Sequence, residues 1–553
     1  MTDAPLLHQI RSAVVAAAAA VVGEPPAAVP LAAPASAEMG DLASPVAMAL
    51  AKAARRPPRE IAEAMAAHLA ADASSAAWLA SVEVAGPGFL NMTLTPSWFA
   101  AAAAELAAAG GSYGAGTAAT PQSILLEFVS ANPTGPLHVG HARQAAYGDS
   151  LGRILAFAGH TVTREYYTND FGRQMRLFGE SVAARYAGLF GEERPIPEGG
   201  YNGDYVIAIA EAVREEVGDT LMPDAAVPTT AVIDDLTERG ERLMLASISA
   251  VLRRFRVSFD AYFSERTLHD GGHVSSGIAT LRASGDAYEA DGAVWFRASA
   301  YGDDKDRVLV RGDGDTTYLA ADVAYHLQKA GRGHDLLIDV LGADHHGYIA
   351  RLRAVLEAGG HDPGSLEVMI IQLVSLLERG EAKKMSKRAG TVVTIGDLLD
   401  DIGVDAARFF LVQRSHETPL DLDLDLAREQ SQENPVYYVQ YAHARVCSIL
   451  AQVPEAPTAT GPPGALDPAE RALVMCLADW PVAVSEAEER RSPHRVAAYL
   501  IELSKAFHGF YHRCRVVGEP ADLAAFRLDL CRATAAVVKT GLDLLGVEAP
   551  ERM

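Results

Sequence analysis

Two short segments of this 553-residue chain carry side chains suited to handling phosphate: His138-Val139-Gly140-His141 and Lys384-Met385-Ser386-Lys387. Imidazoles donate hydrogen bonds to phosphate oxygens, and lysines supply positive charge. Lysines beside a nucleoside triphosphate would neutralise the charge that develops on a leaving pyrophosphate, which is transition-state electrostatics and not covalent chemistry. Gly140 removes a side chain that would keep a nucleotide base or ribose away from the backbone. The histidines could instead be helix caps or metal ligands, and the lysines a solvated surface run. No cysteine lies near the histidines and no third ligand falls at usable spacing, which speaks against a metal.

These segments need rigid supports, and the flanking sequence supplies them. Residues 123–130 read as a buried strand, apolar apart from Glu127. Two prolines and a glycine between 131 and 136 break regularity, and from Val139 the pattern becomes helical, with Ala142, Ala145, Ala146, Leu151, Ile154, Leu155 and Phe157 on a broad apolar face. His138 and His141 therefore fall at the first turn of a helix after a strand, where free N–H groups and the helix dipole favour an anion. Residues 368–377 read as a second strand, followed by a polar loop that runs into Lys384.

With these flanks the chain resembles a class I aminoacyl-tRNA synthetase. The stretch from Glu127 to Arg143 is similar throughout to the bacterial arginyl-tRNA synthetase signature. So are Tyr166-Tyr167-Thr168-Asn169-Asp170-Phe171-Gly172-Arg173-Gln174, Tyr201-Asn202-Gly203-Asp204-Tyr205, Tyr318-Leu319-Ala320-Ala321-Asp322, Gly342-Ala343-Asp344-His345-His346-Gly347 and the run from Asn434 to Arg445. Family members lacking a clear second lysine signature often carry a lysine before the first histidine motif. Here Gly135 stands at that position and the lysine signature is intact.

The resemblance implies an arginine–tRNA ligase that uses ATP, with Mg²⁺ arriving with the nucleotide and no tightly bound metal or organic cofactor. His138, His141, Lys384 and Lys387 would be catalytic, and Gly140, Met385 and Ser386 would join them in binding ATP. Glu127, Tyr318 and Asp322 would bind the guanidinium and Asn132 the α-amino end, with His345 or His346 nearby. The residue types suit a cationic substrate, because a guanidinium is best held by carboxylates accepting paired N–H bonds. Glu127 is an acid in an apolar strand, costly unless a cation meets it. Asp322 follows Tyr318 by one helical turn, so a carboxylate and a phenol share a face. Other readings of the same residues are a buried ion pair for Glu127 and an N-cap or salt bridge for Asp322.

The chain divides into three parts. Residues 1–115 are alanine-rich and mostly helical, with a strand-like stretch at 82–92, and correspond by resemblance to a domain contacting the outer corner of tRNA. Residues 116–415 alternate strands and helices as a doubly wound, Rossmann-like α/β core does, with an insertion expected at 194–300 at the sheet's edge. Residues 416–553 read as an all-α bundle. It carries Tyr437, Tyr438, Tyr441 and Arg445 on one helix, and a second aromatic and cationic run that includes His512 and Arg513. Such mixtures stack on unpaired bases, though aromatics at this spacing also build cores. By resemblance Tyr441, Arg445, His512 and Arg513 would contact tRNA(Arg) in an anticodon-binding domain. Asp421-Leu422-Asp423-Leu424-Asp425 mimics the start of a calcium loop, but Leu426 replaces the needed glycine and Gln432 the closing glutamate, so a short extended segment is expected.

Composition bounds these readings. A 49% hydrophobic content over this length supports several cores. Four cysteines without C-x-x-C spacing speak against zinc and a disulfide framework and fit a reducing compartment. No stretch reads as a signal peptide or a span, so a cytoplasmic protein, working as a monomer away from membranes, is expected. The net charge of −23 is unusual for a partner of nucleic acid, yet local patches and not the total govern binding. A small-molecule nucleotidylyltransferase shares the first signature but needs neither terminal part. A non-catalytic tRNA-binding paralogue is disfavoured because the expected catalytic positions are filled.

Overall fold

The computed structural model describes residues 5–221, 228–383, 393–453 and 457–553. The second signature, at 384–387, lies outside the described residues. The chain packs as two units, residues 1–119 with 430–553 and residues 120–429.

In the N-terminal part of the first unit, helix α1 (His8–Val22) packs on α3 (Pro58–Ala71), which also meets α2 (Val46–Ala54). Strands β1 (Leu42–Ser44), β2 (Leu79–Ala85) and β3 (Phe89–Leu94) form an antiparallel sheet in the order β1-β3-β2. The strand-like stretch at 82–92 is the β2–β3 hairpin. Helix α4 (Pro96–Ala109) follows, its start capped by the Thr95 hydroxyl.

The second unit is built on five parallel strands in the order β11-β10-β4-β5-β6: β4 (Ser123–Phe128), β5 (Thr161–Thr168), β6 (Ala261–Ser264), β10 (Leu336–Gly342) and β11 (Leu366–Ile371). The chain builds outward from β4 through β5 to β6, then returns to the other side through β10 and β11. The strand order therefore reverses between β4 and β10, and ligands in such sheets bind at the carboxyl ends there. Helix α5 (Val139–Ala158) joins β4 to β5 and lies close on the sheet: a Cβ at Gly148 would stand 2.4 Å from Phe128 Cγ of β4.

Between β5 and β6 come α6 (Arg173–Gly188), α7 (Asp204–Val217) and α8 (Thr230–Arg254). Helices α9 (Arg266–Asp270) and α10 (His273–Ala283) follow, then an antiparallel sheet of β7 (Ala287–Ala290), β8 (Ala293–Phe296) and β9 (Arg307–Val310). The insertion expected at 194–300 is thus not one continuous excursion. Its residues 261–264 return to pair with β5, and four residues are too few to show strand periodicity in sequence.

Helix α11 (Tyr318–Ala330) precedes β10, and α12 (Ile349–Ala358) lies between β10 and β11. The strand expected at 368–377 is two strands. The chain leaves β11, bends at Gln372 and Leu373, and enters a small second sheet as β12 (Val374–Glu378), which pairs with β13 (Glu381–Ala382) and β14 (Leu420–Asp423). An apolar run cannot reveal the bend because both halves are strands. Helix α13 (Ile395–Val412) precedes β14, and α14 (Leu424–Arg428) follows it. The alternating Leu/Asp segment is β14 with Leu420 and Leu422 buried, and Asp423 caps α14 through Leu426 N at 3.0 Å.

The C-terminal part comprises α15 (Pro435–Gln452), α16 (Pro468–Ala478), α17 (Trp480–Glu489), α18 (His494–Arg513) and α19 (Ala521–Leu545). It packs on the N-terminal part within the first unit. Helix α19 lies against α4, Arg471 Nε donates to Asp41 Oδ1 at 2.8 Å, and the Tyr113 hydroxyl donates to Ala478 O at 3.1 Å. The first and third parts drawn from sequence thus share one unit.

Candidate active site

His138 is the N-cap of α5 and its Nδ1 accepts from Gly140 N at 3.1 Å. His141 Nδ1 accepts from His138 N at 3.2 Å, closing a capping box. Each Nδ1 is therefore unprotonated, and each neutral ring carries its proton on Nε2. The rings lie 3.9 Å apart at the helix N-terminus, so the caps also fix two Nε2–H donors beside the positive end of the dipole. A Cβ on Gly140 would stand 2.8 Å from His138 Cε1, so the glycine makes room for the histidine itself. Gly140→Ala is expected to displace that ring and lower ATP–pyrophosphate exchange about tenfold, with the arginine KM unchanged. Steady-state kinetics in both substrates checks this.

The first signature also grips the chain that leaves the second. Val139 N donates to Val393 O at 3.1 Å and Ile395 N to Leu137 O at 2.9 Å, an antiparallel bridge between His138 and Thr394. On the other side Tyr205 lies over Gly135 and its hydroxyl donates to Thr134 O at 2.8 Å.

Behind this loop, where β4 and β10 part, lies a buried polar network. Glu127 Oε2 accepts from Lys329 Nζ at 2.6 Å and the Tyr325 hydroxyl at 2.7 Å, and its Oε1 from the Ser130 hydroxyl at 2.8 Å. Lys329 also bonds Asp339, Tyr325 bridges to Glu165 at 2.7 Å, and Arg332 pairs with Glu165. His326 Nε2 faces Asp339 at 3.0 Å and its Nδ1 faces Asp322 O at 2.9 Å. Both its ring nitrogens meet acceptors, and its pKa is raised with the Asp339 contact as the leading favourable cause against burial. Three carboxylates (Glu127, Glu165 and Asp339) thus meet three cations (Lys329, Arg332 and His326). The strand end above is strained: Val129 has φ +71°, a left-handed value that a β-branched residue seldom adopts.

Two further acids stand beside this balanced network. Burial pushes Asp322 up to about 6, held back by the charges of His326, His345 and Arg351 and raised further by Glu127. Burial pushes Glu265 up to about 7, opposed by a hydrogen bond from Tyr167 and reinforced by Asp322 and Asp170. The Tyr167 phenol is raised by burial and then by Glu265, Asp322 and Glu127. His269 lies 3.6 Å from Glu265, with its own pKa lowered by burial. Among the described residues neither Asp322 nor Glu265 has a lysine or arginine at ion-pair distance. The two acids therefore have no permanent cation in contact with them among the described residues.

Comparison with known proteins decides the family. Family models match over residues 8–94 (arginyl tRNA synthetase N terminal domain), 105–197 with 234–425 (tRNA synthetases class I (R), catalytic domain) and 439–553 (DALR anticodon binding domain). The chain belongs to the arginyl-tRNA synthetases. It is 45% identical to the arginine–tRNA ligase of Shouchella clausii over 99% of this chain and 98% of the relative, and 49% identical to that of Frankia alni over 94% of each. The arginyl-tRNA synthetase structure from Thermus thermophilus superposes with a TM-score of 0.72 at 26% identity, covering 99% of both chains.

Within this arginyl-tRNA synthetase fold, the structure brings Glu127, Asp322 and His345 to one pocket. Glu127 there is an ion pair with Lys329, the structural alternative that its buried position allowed. Asn132 lies at the pocket's strand end, and its Nδ2 donates to Asn169 O at 3.2 Å, which orients Oδ1 as an acceptor. Tyr318 starts α11 one turn before Asp322 but is 62% exposed, so its ring stands outside the buried cluster. The His346 side chain, and Lys384, Met385, Ser386 and Lys387, lie outside what is described. Sequence reasoning missed Glu265 and Tyr167. Tyr167 sat inside a recognised motif, whereas Glu265 follows the short strand β6 with no local signal.

On the synthetase's C-terminal bundle, the Arg445 guanidinium is sandwiched 5.0 Å from each of the Tyr441 and Tyr511 rings, and Tyr441 stacks on Tyr437. His512 and Arg513 are exposed at the end of α18, where Arg513 pairs with Asp467 at 3.1 Å. No helix among the described residues is long and apolar enough to cross a membrane.

Proposed function

We propose that this arginyl-tRNA synthetase is an arginine–tRNA ligase working by two successive transfers. The arginine carboxylate attacks the α-phosphate of ATP in line, giving arginyl-adenylate and pyrophosphate. The terminal ribose hydroxyl of tRNA(Arg) then displaces AMP. The observation that carries the arginine assignment is the pair of neighbouring acids Asp322, half-buried, and Glu265, buried, neither of which has a lysine or arginine at ion-pair distance among the described residues. A guanidinium supplies that charge and pairs its N–H groups with both carboxylates. A neutral side chain would leave the acids buried and unpaired.

Glu127, pinned by Lys329, closes the pocket floor, Asn132 accepts from the α-ammonium group, and His345 and Tyr318 border the pocket. His138 and His141 donate from Nε2 to the phosphates, helped by the N-terminus of α5. Lys384 and Lys387, with Met385 and Ser386 between them, complete the phosphate contacts by family resemblance. Mg²⁺ enters with ATP as part of the substrate. Most of the acceleration is positioning and charge stabilisation. The C-terminal bundle contacts tRNA through Tyr441, Arg445, His512 and Arg513, the exposed pair most directly.

ATP–pyrophosphate exchange with each amino acid, with and without total tRNA, tests the function. Exchange with arginine alone, and only in the presence of tRNA, is the expected result. Exchange with a neutral amino acid would overturn the pocket assignment.

A further inference from the structure

Arg143, two residues beyond His141, has no part in the steps above. It is fully buried. Its Nη1 donates to Gln372 O and Thr418 O and its Nη2 to Ser415 O, all at 2.9 Å. Its Nε is buried without a hydrogen-bond partner among the described residues, where no carboxylate pairs with Arg143. Burial pulls its pKa down to about 10. The contrast with Arg408 is direct. That guanidinium is equally buried but pairs with Asp149 at 2.6 Å. Holding a cation in the interior without a counter-ion is costly, and an apolar side chain would fill the space more cheaply.

The three carbonyls explain what Arg143 does there. Gln372 is the bend where the chain leaves β11 for β12, and Ser415 and Thr418 lie on the connection from α13 to β14. These two segments also bond each other, through Gln372 N to His416 O at 2.9 Å and Leu420 N to Leu373 O at 3.0 Å. Next to Arg143 on the same junction, the Tyr147 hydroxyl meets His416 Nδ1 at 3.1 Å. The junction is the root of the small sheet, where β12 and β14 begin. The start of α5 is already tied to residues 393–395 by the backbone bridge at His138. A planar guanidinium places donors on two nitrogens in a fixed fork, which suits carbonyls from two crossing segments.

We propose that Arg143 is a positioning residue for adenylate formation, clamping the root of the β12–β14 sheet to the helix that carries His138 and His141. This rests on the phosphate-binding role of the first signature. Because the clamp lies on the phosphate side and not in the acid pocket, its loss should slow chemistry without weakening arginine binding.

The test compares the full-length enzyme with Arg143→Lys and Arg143→Gln in tRNA-dependent pyrophosphate exchange, with thermal unfolding measured on each. Lysine keeps the charge but has a single nitrogen in place of the two that bond the three carbonyls, and glutamine keeps a donor without the charge. Exchange kcat should fall about tenfold in R143K and about a hundredfold in R143Q, with the arginine KM within about twofold of the parent. If R143Q does not fold, R143K decides alone. A folded R143K with parental kcat overturns the proposal, and so does an arginine KM that rises in step with the loss of kcat. His138→Asn, which keeps an N-cap acceptor, separates the two layers. If it leaves exchange intact, the phosphate reading falls; if it impairs exchange while R143K does not, only the clamp falls.

Discussion

Asp322→Asn should raise the arginine KM by roughly 100- to 4,000-fold while leaving the ATP KM near its parental value. Breaking a buried, hydrogen-bonded charge pair by neutralising one partner costs about 3–5 kcal/mol, and each 1.4 kcal/mol is a factor of ten. Asp322 sits in the low-dielectric pocket that pushes its own pKa up to about 6, so its charge is poorly solvated before arginine arrives. Asp322 is half-buried, so its interaction with a guanidinium is only partly screened. Citrulline, which has the arginine shape without the charge, should lose far less between the parent and D322N. Exchange kinetics with both compounds settles the matter: a KM for arginine unchanged in D322N would remove Asp322 from the pocket.

Arginine affinity should also fall steeply with acidification. Glu265 and Asp322 sit at about 7 and about 6, whereas the substrate guanidinium stays charged throughout. Arginine binds the ionised carboxylates, so protons compete with it. Above pH 8 both acids are ionised and KM should be flat. As pH falls through 7 one proton must leave on binding, and below 6 a second, so KM should rise roughly a hundredfold between pH 8 and 5.5. The groups facing these acids are Tyr167, Asp170, His269, His326, His345, Arg351 and Glu127, of which Glu127 is tied to Lys329 and His326 to Asp339. Glu265→Gln should remove the upper limb of the profile and leave the lower. The same shifts bear on stability. An acid whose folded pKa is raised costs stability as pH rises through that value, and arginine relieves the cost, so arginine should raise Tm more at pH 8 than at pH 6. Equal increments at both values would contradict the assignment.

Much of the fold was legible because its signals are local. The apolar residues of β4 and the apolar face of α5 mark a strand and a helix, and two histidines on the turn mark an anion site. Glu127 was legible only as a question. An acid among apolar neighbours needs a cation, and whether that is a substrate or an internal lysine depends on Lys329, which is 202 residues away in sequence. Glu265 and Arg143 were illegible for the same reason. Glu265 matters through Asp322 and Tyr167, and Arg143 through backbone carbonyls, which have no sequence signature at all. The bend at Gln372 is invisible because the apolar run continues through it while the chain changes sheets.

The first unit is assembled from the two ends of the chain, and that has a consequence for how the protein is made. Helix α4 finds its packing partner in α19, and Asp41 finds Arg471, only after 430 further residues have been added. During synthesis the catalytic sheet can close while the N-terminal part still presents an unfinished apolar face. Domains tend to fold as they emerge, and exposed apolar surface in an intermediate invites aggregation. Helix α19, made long after α4, is therefore also its cover, so a premature stop within α19 should harm a region made long before it.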